Sequence, residues 1–213
     1  AQEQILDLIA SSLSPQGVAY VSYNTLPGWR MRGQLLDLFD CYLKGISEPL
    51  QRLKQARTTM QHYARSLIGV DGAHAELLRM ELDRLSAVSD HYLYHEFLGP
   101  VNQAYRFDQF CERLQTRQLH ACADSDLSRM HRPPLPESTV AGLEQVADRQ
   151  QREQQLDFLL TRNFRQTLIT RQPGSEPQWE RLANLAWCGS LYPVDEKGWQ
   201  AGYESAEYQA SDG

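Results

Sequence analysis

The sequence predicts an α+β chain, a predominantly helical bundle beside a few strands. Three observations carry this. Apolar residues recur at helical spacing through most of the first hundred positions. A short run of β-formers, "VAYVSY" from Val18 to Tyr23, stands apart near the N-terminus. A second such run, "FRQTLITR", follows a polar helical stretch near position 164.

Taken in order, "EQILDLIASSLSPQG" places Ile5, Leu8, Ile9 and Leu13 at helical spacing, and Pro15 and Gly17 end it. "VAYVSY" is apolar on both faces apart from Ser22, which suits a strand covered on both sides, as in a parallel sheet. "NTLPGWR" then makes a Pro-Gly turn that delivers an aromatic and a cation. "QLLDLFDCYLKG" puts Leu35, Leu38, Phe39 and Tyr42 on one face, with Gly45 as its stop. Ser47 is expected to cap the next helix, with Pro49 in its first turn and Leu50, Leu53, Met60, Tyr63 and Leu67 as its stripe. "AELLRMELDRLSAVSDHYLYHEFLG" is a third helical stretch with a candidate break at Ser89-Asp90. Residues 33–98 thus form a small bundle.

The α/β character then returns. Phe107, Phe110 and Leu114 share one side of a capped helix that leads to the short strand "LHACA". "RPPLPES" is a loop, and Ser138 is expected to cap a polar helix running through "EQQLDFLLTRN". "QPGSEP" reads as a linker, "RLANLAWCGSLYPV" as strand, and the tail from Asp195 as frayed.

The chain has 213 residues and a formal charge of −6, which argues against nucleic acid or an anionic membrane as partner, since both require a concentrated basic face. No apolar run is long enough to cross a bilayer and no signal peptide is legible. The first residue is Ala1, so a fragment of a longer protein is expected. Cys41, Cys111, Cys122 and Cys188 are widely spaced and form no CxxC, so they read as reduced thiols of a cytoplasmic protein.

"GVAYVSYNTLPGWRMRGQLLDL", "HYLYHEFLGPVNQAYRFDQFCERL" and "EQQLDFLLTRNFRQTLITR", in that order, resemble the methyltransferase regulatory domain of bacterial proteins that also carry an S-adenosylmethionine-dependent methyltransferase domain. The resemblance implies a division into 1–28, the closing helix and strand of a methyltransferase sheet; 29–171, the regulatory domain; and 172–213, a linker and the start of a C-terminal region. "FDQFCERLQTRQLHACA" and "FRQTLIT" then look like the last helix and closing strands of that Rossmann-like sheet, with the bundle inserted as a lid. Relatives with both domains include protein-lysine methyltransferases. The implied partners are a catalytic domain in cis, a protein acceptor and, left open, a second copy of the chain. A small metabolite is the alternative acceptor. Whether regulation means gating, substrate selection or dimerisation stays open too.

The glycine-rich turn that lets a backbone approach the cofactor is missing, as is the acidic residue for the ribose hydroxyls. The chain alone is therefore expected to be non-catalytic, with no cofactor-binding and no catalytic residues; S-adenosylmethionine belongs to the parent protein. No metal is expected either: His91 and His95 share a helical face, but HxxxHE lacks a third ligand. The residues expected to face substrate are Tyr23, Asn24, Trp29 and Arg30, which follow a strand's carboxyl end, with Tyr92, His95 and Glu96 from "HYLYHE". Each has a plainer reading. Asn24 can bond local backbone, Trp29 can pin the first bundle helix, and the tyrosines can be core with wet hydroxyls. Asn163, Arg165 and Gln166, where a helix gives way to a strand, read as solvated or bonded to helix carbonyls. Two other functions fit the same residues: a helical protein-interaction module unrelated to methyl transfer, and a self-contained enzyme using His91, His95 and Glu96.

Overall fold

A computed structural model of the chain describes residues 2–99, 102–126, 130, 133–174, 178, 191–193 and 208–210. The chain divides into two units, Ala1–Ser175 and Glu176–Gly213. The first holds eight helices among its described residues: α1 Gln2–Ser12, α2 Trp29–Tyr42, α3 Pro49–Ser66, α4 Ala73–Ala87, α5 Asp90–Phe97, α6 Phe107–Gln115, α7 Glu137–Glu144 and α8 Arg149–Leu159. Its strands are β1 Ala19–Asn24, β2 His120–Asp124 and β3 Phe164–Thr170. In the second unit β4 Leu191–Pro193 pairs antiparallel with β5 Tyr208–Ala210. Most of "RLANLAWCGSLYPV" and of the tail lies outside the described residues. No described helix is long and apolar enough to cross a membrane.

The α+β expectation holds, with the strands few and the helices many. The three-stranded sheet has the order β1-β3-β2. β3 runs antiparallel to both neighbours, with Ala19 opposite Ile169 and Asn24 opposite Phe164. β1 and β2 are therefore parallel to each other without touching, and the last strand of the unit enters between them. The expectation of a parallel partner for β1 is corrected: its neighbour is β3, and its outer edge pairs with no described strand. It is not covered on both faces either. Ala19, Val21 and Tyr23 face a core of Leu6, Phe110, Leu114, Leu119 and Ile169, while Val18 and Tyr20 are 60% and 53% exposed. Strand periodicity makes this division, because neighbouring side chains point to opposite faces.

α1 lies on the covered face. Leu6, Ile9, Ala10 and Leu13 pack there, whereas Ile5 and Leu8 of the expected stripe are exposed. Charge fixes its position: Glu3 meets Arg113 at 3.0 Å and Arg117 at 2.8 Å, and Asp7 meets Arg117 at 2.7 Å. Arg171, just past β3, donates to the carbonyls of Leu13 and Ala10 and so closes the helix's C-terminus.

The bundle, α2 to α5, has its own core of Trp29, Leu35, Phe39, Leu43, Met60, Leu82, Leu85, Leu93 and Phe97. Leu50 is 73% exposed and not part of the stripe, because it sits in the first turn, before α3 meets its neighbours. The cap of α3 is Glu48, not Ser47: its Oε2 accepts from Gln51 N at 2.7 Å, and Pro49 follows at the first helical position. The break at Ser89 is real, since Ser89 Oγ accepts from Tyr92 N at 3.2 Å and starts α5. Arg57 locks this corner by donating to the carbonyls of Leu85 and Val88 and pairing with Asp90 at 2.8 Å. The polar helix expected from Ser138 is two helices. Asp148 starts the second by accepting from Gln151 N at 2.8 Å, and Ser138 lies inside the first.

Candidate functional site

The carboxyl end of β1 is where bundle and sheet meet. Thr25, fully buried, receives its place from three bonds. Its amide donates to Asn163 O at 3.0 Å, its hydroxyl donates to Tyr105 O at 2.7 Å, and Leu26 N donates to the same Tyr105 carbonyl at 3.1 Å. Gly28 N then donates to Arg162 O at 3.0 Å. A Cβ at Gly28 would stand 2.1 Å from Thr161 O, so only glycine lets the two backbones approach this closely. The turn after β1 is thereby fastened to the turn before β3.

On this platform Asn24 reaches the bundle. Its Nδ2 lies 3.5 Å from Glu96 Oε2 and 3.5 Å from Asn102 Oδ1, and Asn102 Nδ2 donates to Glu96 O. Two of the residues expected to face substrate, 72 positions apart, are thus in one polar cluster. Tyr92 is half-buried against the bundle core on the same helix, His95 is exposed, and Arg30 is exposed at the second position of α2. The His91 and His95 rings lie 4.4 Å apart, tilted by 49°, and among the described residues no three His, Cys, Asp or Glu side chains converge to hold a metal.

Two of the seven residues are turned inward. Tyr23 stacks on Phe110 with centroids 4.0 Å apart, beneath α6, and burial pushes its phenol well above the usual range. It lies on the inward side of the strand because it alternates with Asn24, which takes the outward position. Trp29 is 4% exposed and stacks on Phe97 at 5.8 Å, so it pins α2 into the bundle core. Its face remains useful, because the Arg32 guanidinium lies over it at 5.1 Å.

Sequence reasoning missed a charged network behind this platform. Arg165 is buried, not solvated. Its Nε and Nη2 take both oxygens of Asp157 at 2.8 Å, and its guanidinium lies 4.0 Å over the Phe107 ring. Arg162 bridges Asp157 at 3.3 Å and Asp124 at 3.5 Å. Burial pulls on the Arg165 cation, but the Asp157 carboxylate more than offsets it and raises its pKa. The legible signal was period two in "FRQTLIT", which puts Arg165 on the face of Thr167 and Ile169. A separate cleft of about 180 Å³, lined by Cys111, His120, Arg149 and Glu153, opens at the opposite end of the sheet. Burial pushes the Cys111 thiol up to about 12, which leaves it unreactive there.

Comparison with known proteins joins these observations. Over 99% of its length the chain is similar to the solved structure of PKMT2 from Rickettsia typhi, with 28% identity and a TM-score of 0.78, covering 41% of that chain. The same protein in complex with AdoHcy gives a TM-score of 0.81 over 42% of its length. An uncharacterized Rickettsia prowazekii protein is 32% identical over 79% of this chain, and one from Synechocystis sp. is 27% identical over 80%. This chain spans 30% and 34% of those two relatives, about a third of each. From the capping serine of α5 to just past β3, residues 89–171 match the family described as a predicted methyltransferase regulatory domain, and the resemblance read from the sequence is borne out.

Proposed function

We propose that this chain is the non-catalytic, substrate-handling part of an S-adenosylmethionine-dependent methyltransferase that modifies a lysine side chain of a protein. The observation that carries the reading is the contact of Asn24 with Glu96, because it joins the carboxyl end of a sheet strand to the bundle. In open α/β sheets, ligands bind beyond the carboxyl ends of the strands. The outer edge of β1, which pairs with no described strand and lies near exposed Ile5, Leu8 and Tyr20, suits continuation into a catalytic sheet supplied in cis. The similarity to PKMT2, whose complex holds AdoHcy, supports the same assignment.

The carboxyl end of β1 offers no glycine cradle for a cofactor among the described residues. The glycine pressed against it is Gly28, and the space there is filled by the backbone of Thr161 and Arg162. S-adenosylmethionine therefore belongs to the cis domain, where it supplies the methyl group. The residues here act on the acceptor. A carboxylate at Glu96, steadied by Asn24, holds an acceptor ammonium by a charge-assisted bond as it enters. The bundle closes over it and excludes water. Free thiols at Cys41, Cys111 and Cys122 suit a cytoplasmic bacterial protein.

The test is methyl transfer to lysine peptides by the full-length protein. Glu96→Gln should lower kcat/KM by about tenfold, close to 1.4 kcal/mol of lost transition-state binding. Affinity for AdoHcy should stay unchanged. Full activity in Glu96→Gln and in Asn24→Ala would exclude this reading.

A further inference from the structure

Arg32 is a cation without an adequate partner. It sits one turn into α2, its side chain 12% exposed, with the guanidinium over the Trp29 ring. Among the described residues it makes no hydrogen bond, and its Nε is buried without an acceptor. The carboxylate beside it is Glu81, 3.6 Å away at Oε2. That same oxygen already accepts from Arg84 twice, Nε at 3.1 Å and Nη2 at 2.9 Å. One carboxylate is thus shared by two guanidiniums, and Arg84 holds the better geometry. Burial and the like charge of Arg84 both pull the Arg32 pKa down, and Glu96 is among the acids that partly offset this. A second buried donor without an acceptor stands next to it, the indole Nε1 of Trp29. Buried donors are nearly always satisfied, so such a pair at the edge of a polar cluster calls for an acceptor from outside.

We propose that Arg32, seated on Trp29, takes the carboxylate of an aspartate or glutamate that flanks the target lysine in the acceptor protein. This rests on the lysine-acceptor reading above and adds the neighbour's chemistry. Glu96 and Arg32 then make a two-point clamp of opposite signs, with the ammonium on one and the carboxylate on the other. An arginine suits this task because its planar fork meets a carboxylate in two parallel bonds. The clamp restores neutrality at Arg32, and it also fixes the direction in which the acceptor segment lies.

The experiment uses the full-length protein and two peptides that differ at one position, a glutamate or a glutamine beside the lysine. The wild type should methylate the glutamate peptide with about tenfold higher kcat/KM, the usual scale of a charge-assisted bond. Arg32→Gln should abolish that preference, bringing the glutamate peptide down to the rate of the glutamine peptide, and leave AdoHcy affinity unchanged. Equal rates on both peptides in the wild type overturn the carboxylate site and leave the lysine reading standing. Equal slowing of both peptides in Arg32→Gln assigns the residue to packing and also overturns it. Weakened AdoHcy binding would assign the guanidinium to the cofactor's own carboxylate and do the same. Methylation of neither peptide overturns the lysine reading and this inference with it. The wild-type comparison needs no variant, so a misfolded Arg32→Gln cannot shield the proposal.

Discussion

Arg165 takes both carboxylate oxygens of Asp157 at 2.8 Å, at a place where Asp157 is fully buried and Arg165 is 2% exposed. Eight positions separate them, the last turn of α8 and the start of β3, so one pair fixes how helix becomes strand. Removing one partner leaves a buried charge with only its secondary contact, Arg162 at 3.3 Å for Asp157 or Glu153 at 3.0 Å for Arg165. Asp157→Asn or Arg165→Met should each cost about 3–5 kcal/mol. The double variant Asp157→Asn/Arg165→Met should cost clearly less than the sum of the two single losses, since each single loss includes the penalty of the partner left behind. Urea midpoints of the four proteins measure this, and additive losses would refute it.

Gly28 and Gly33 make a matched test of close approach. Gly28→Ala drives a methyl into the Thr161 carbonyl, a backbone atom that cannot rotate away, and should cost about 2 kcal/mol or more. Gly33 lies inside α2 with nothing within 4 Å of the added carbon. Gly33→Ala should therefore stabilise by about 0.5–1 kcal/mol. Thermal melts with the same sign for both would contradict the packing described.

Trp29 separates volume from hydrogen bonding. The ring is buried but its N–H has no acceptor among the described residues. Trp29→Ala should cost about 3–5 kcal/mol through the cavity it leaves. Trp29→Phe keeps most of the apolar contact and removes a donor that was unsatisfied, so it should cost less than about 1.5 kcal/mol. Similar losses for both in chemical denaturation would mean that the indole N–H carries weight after all.

Asp108 gives the pH dependence. Burial alone would raise its pKa, but the bonds from Arg106 and from the Gln109 amide more than offset it, and the folded value lies below the ordinary 3.8. Those bonds are 2.9 Å from Arg106 Nε and 2.7 Å from Gln109 N. A depressed folded pKa contributes stability that is fully present above the unfolded value and is lost as pH falls through the folded one. The melting temperature of Asp108→Asn should lie below wild type near neutrality, and the gap should close as pH drops below 3.8. A gap independent of pH would exclude the carboxylate as its source.

The helices were legible because their apolar spacing and stops are local properties. Ser89 and Gly45 announce their breaks within four residues. The Glu48 and Asp148 caps were missed because several polar residues in each turn could cap, and only the backbone decides which one does. The sheet was legible as strands but not as an order: the partner of "VAYVSY" lies far along the chain, and no periodicity reports pairing. Asn24 and Glu96 were both singled out, yet nothing in either segment said that they meet. Arg165 was legible in part: its Nη2 donates to a helix carbonyl, that of Glu153 at 3.1 Å, but its burial was not, because an arginine at a helix end is exposed in most proteins. Its burial depends on Asp157, which looks like an ordinary helix residue.

The strand order has a consequence in time. Within this chain β1 meets its described partner only when Phe164 to Thr170 exist, and β2 waits for the same segment. Between them lies the bundle, whose contacts are closer in sequence and whose core needs neither strand. Closing so long a loop costs entropy that the bundle reduces once it is compact, because it brings Asn24 and Tyr105 together. The bundle should therefore form first and the sheet last, with β3 as the piece that completes both edges at once. Pulsed hydrogen exchange during refolding would see bundle amides protected before those of β1, and the reverse order would refute this. Until β3 arrives, β1 and β2 lack the strand that lies between them, while the bundle core is already complete.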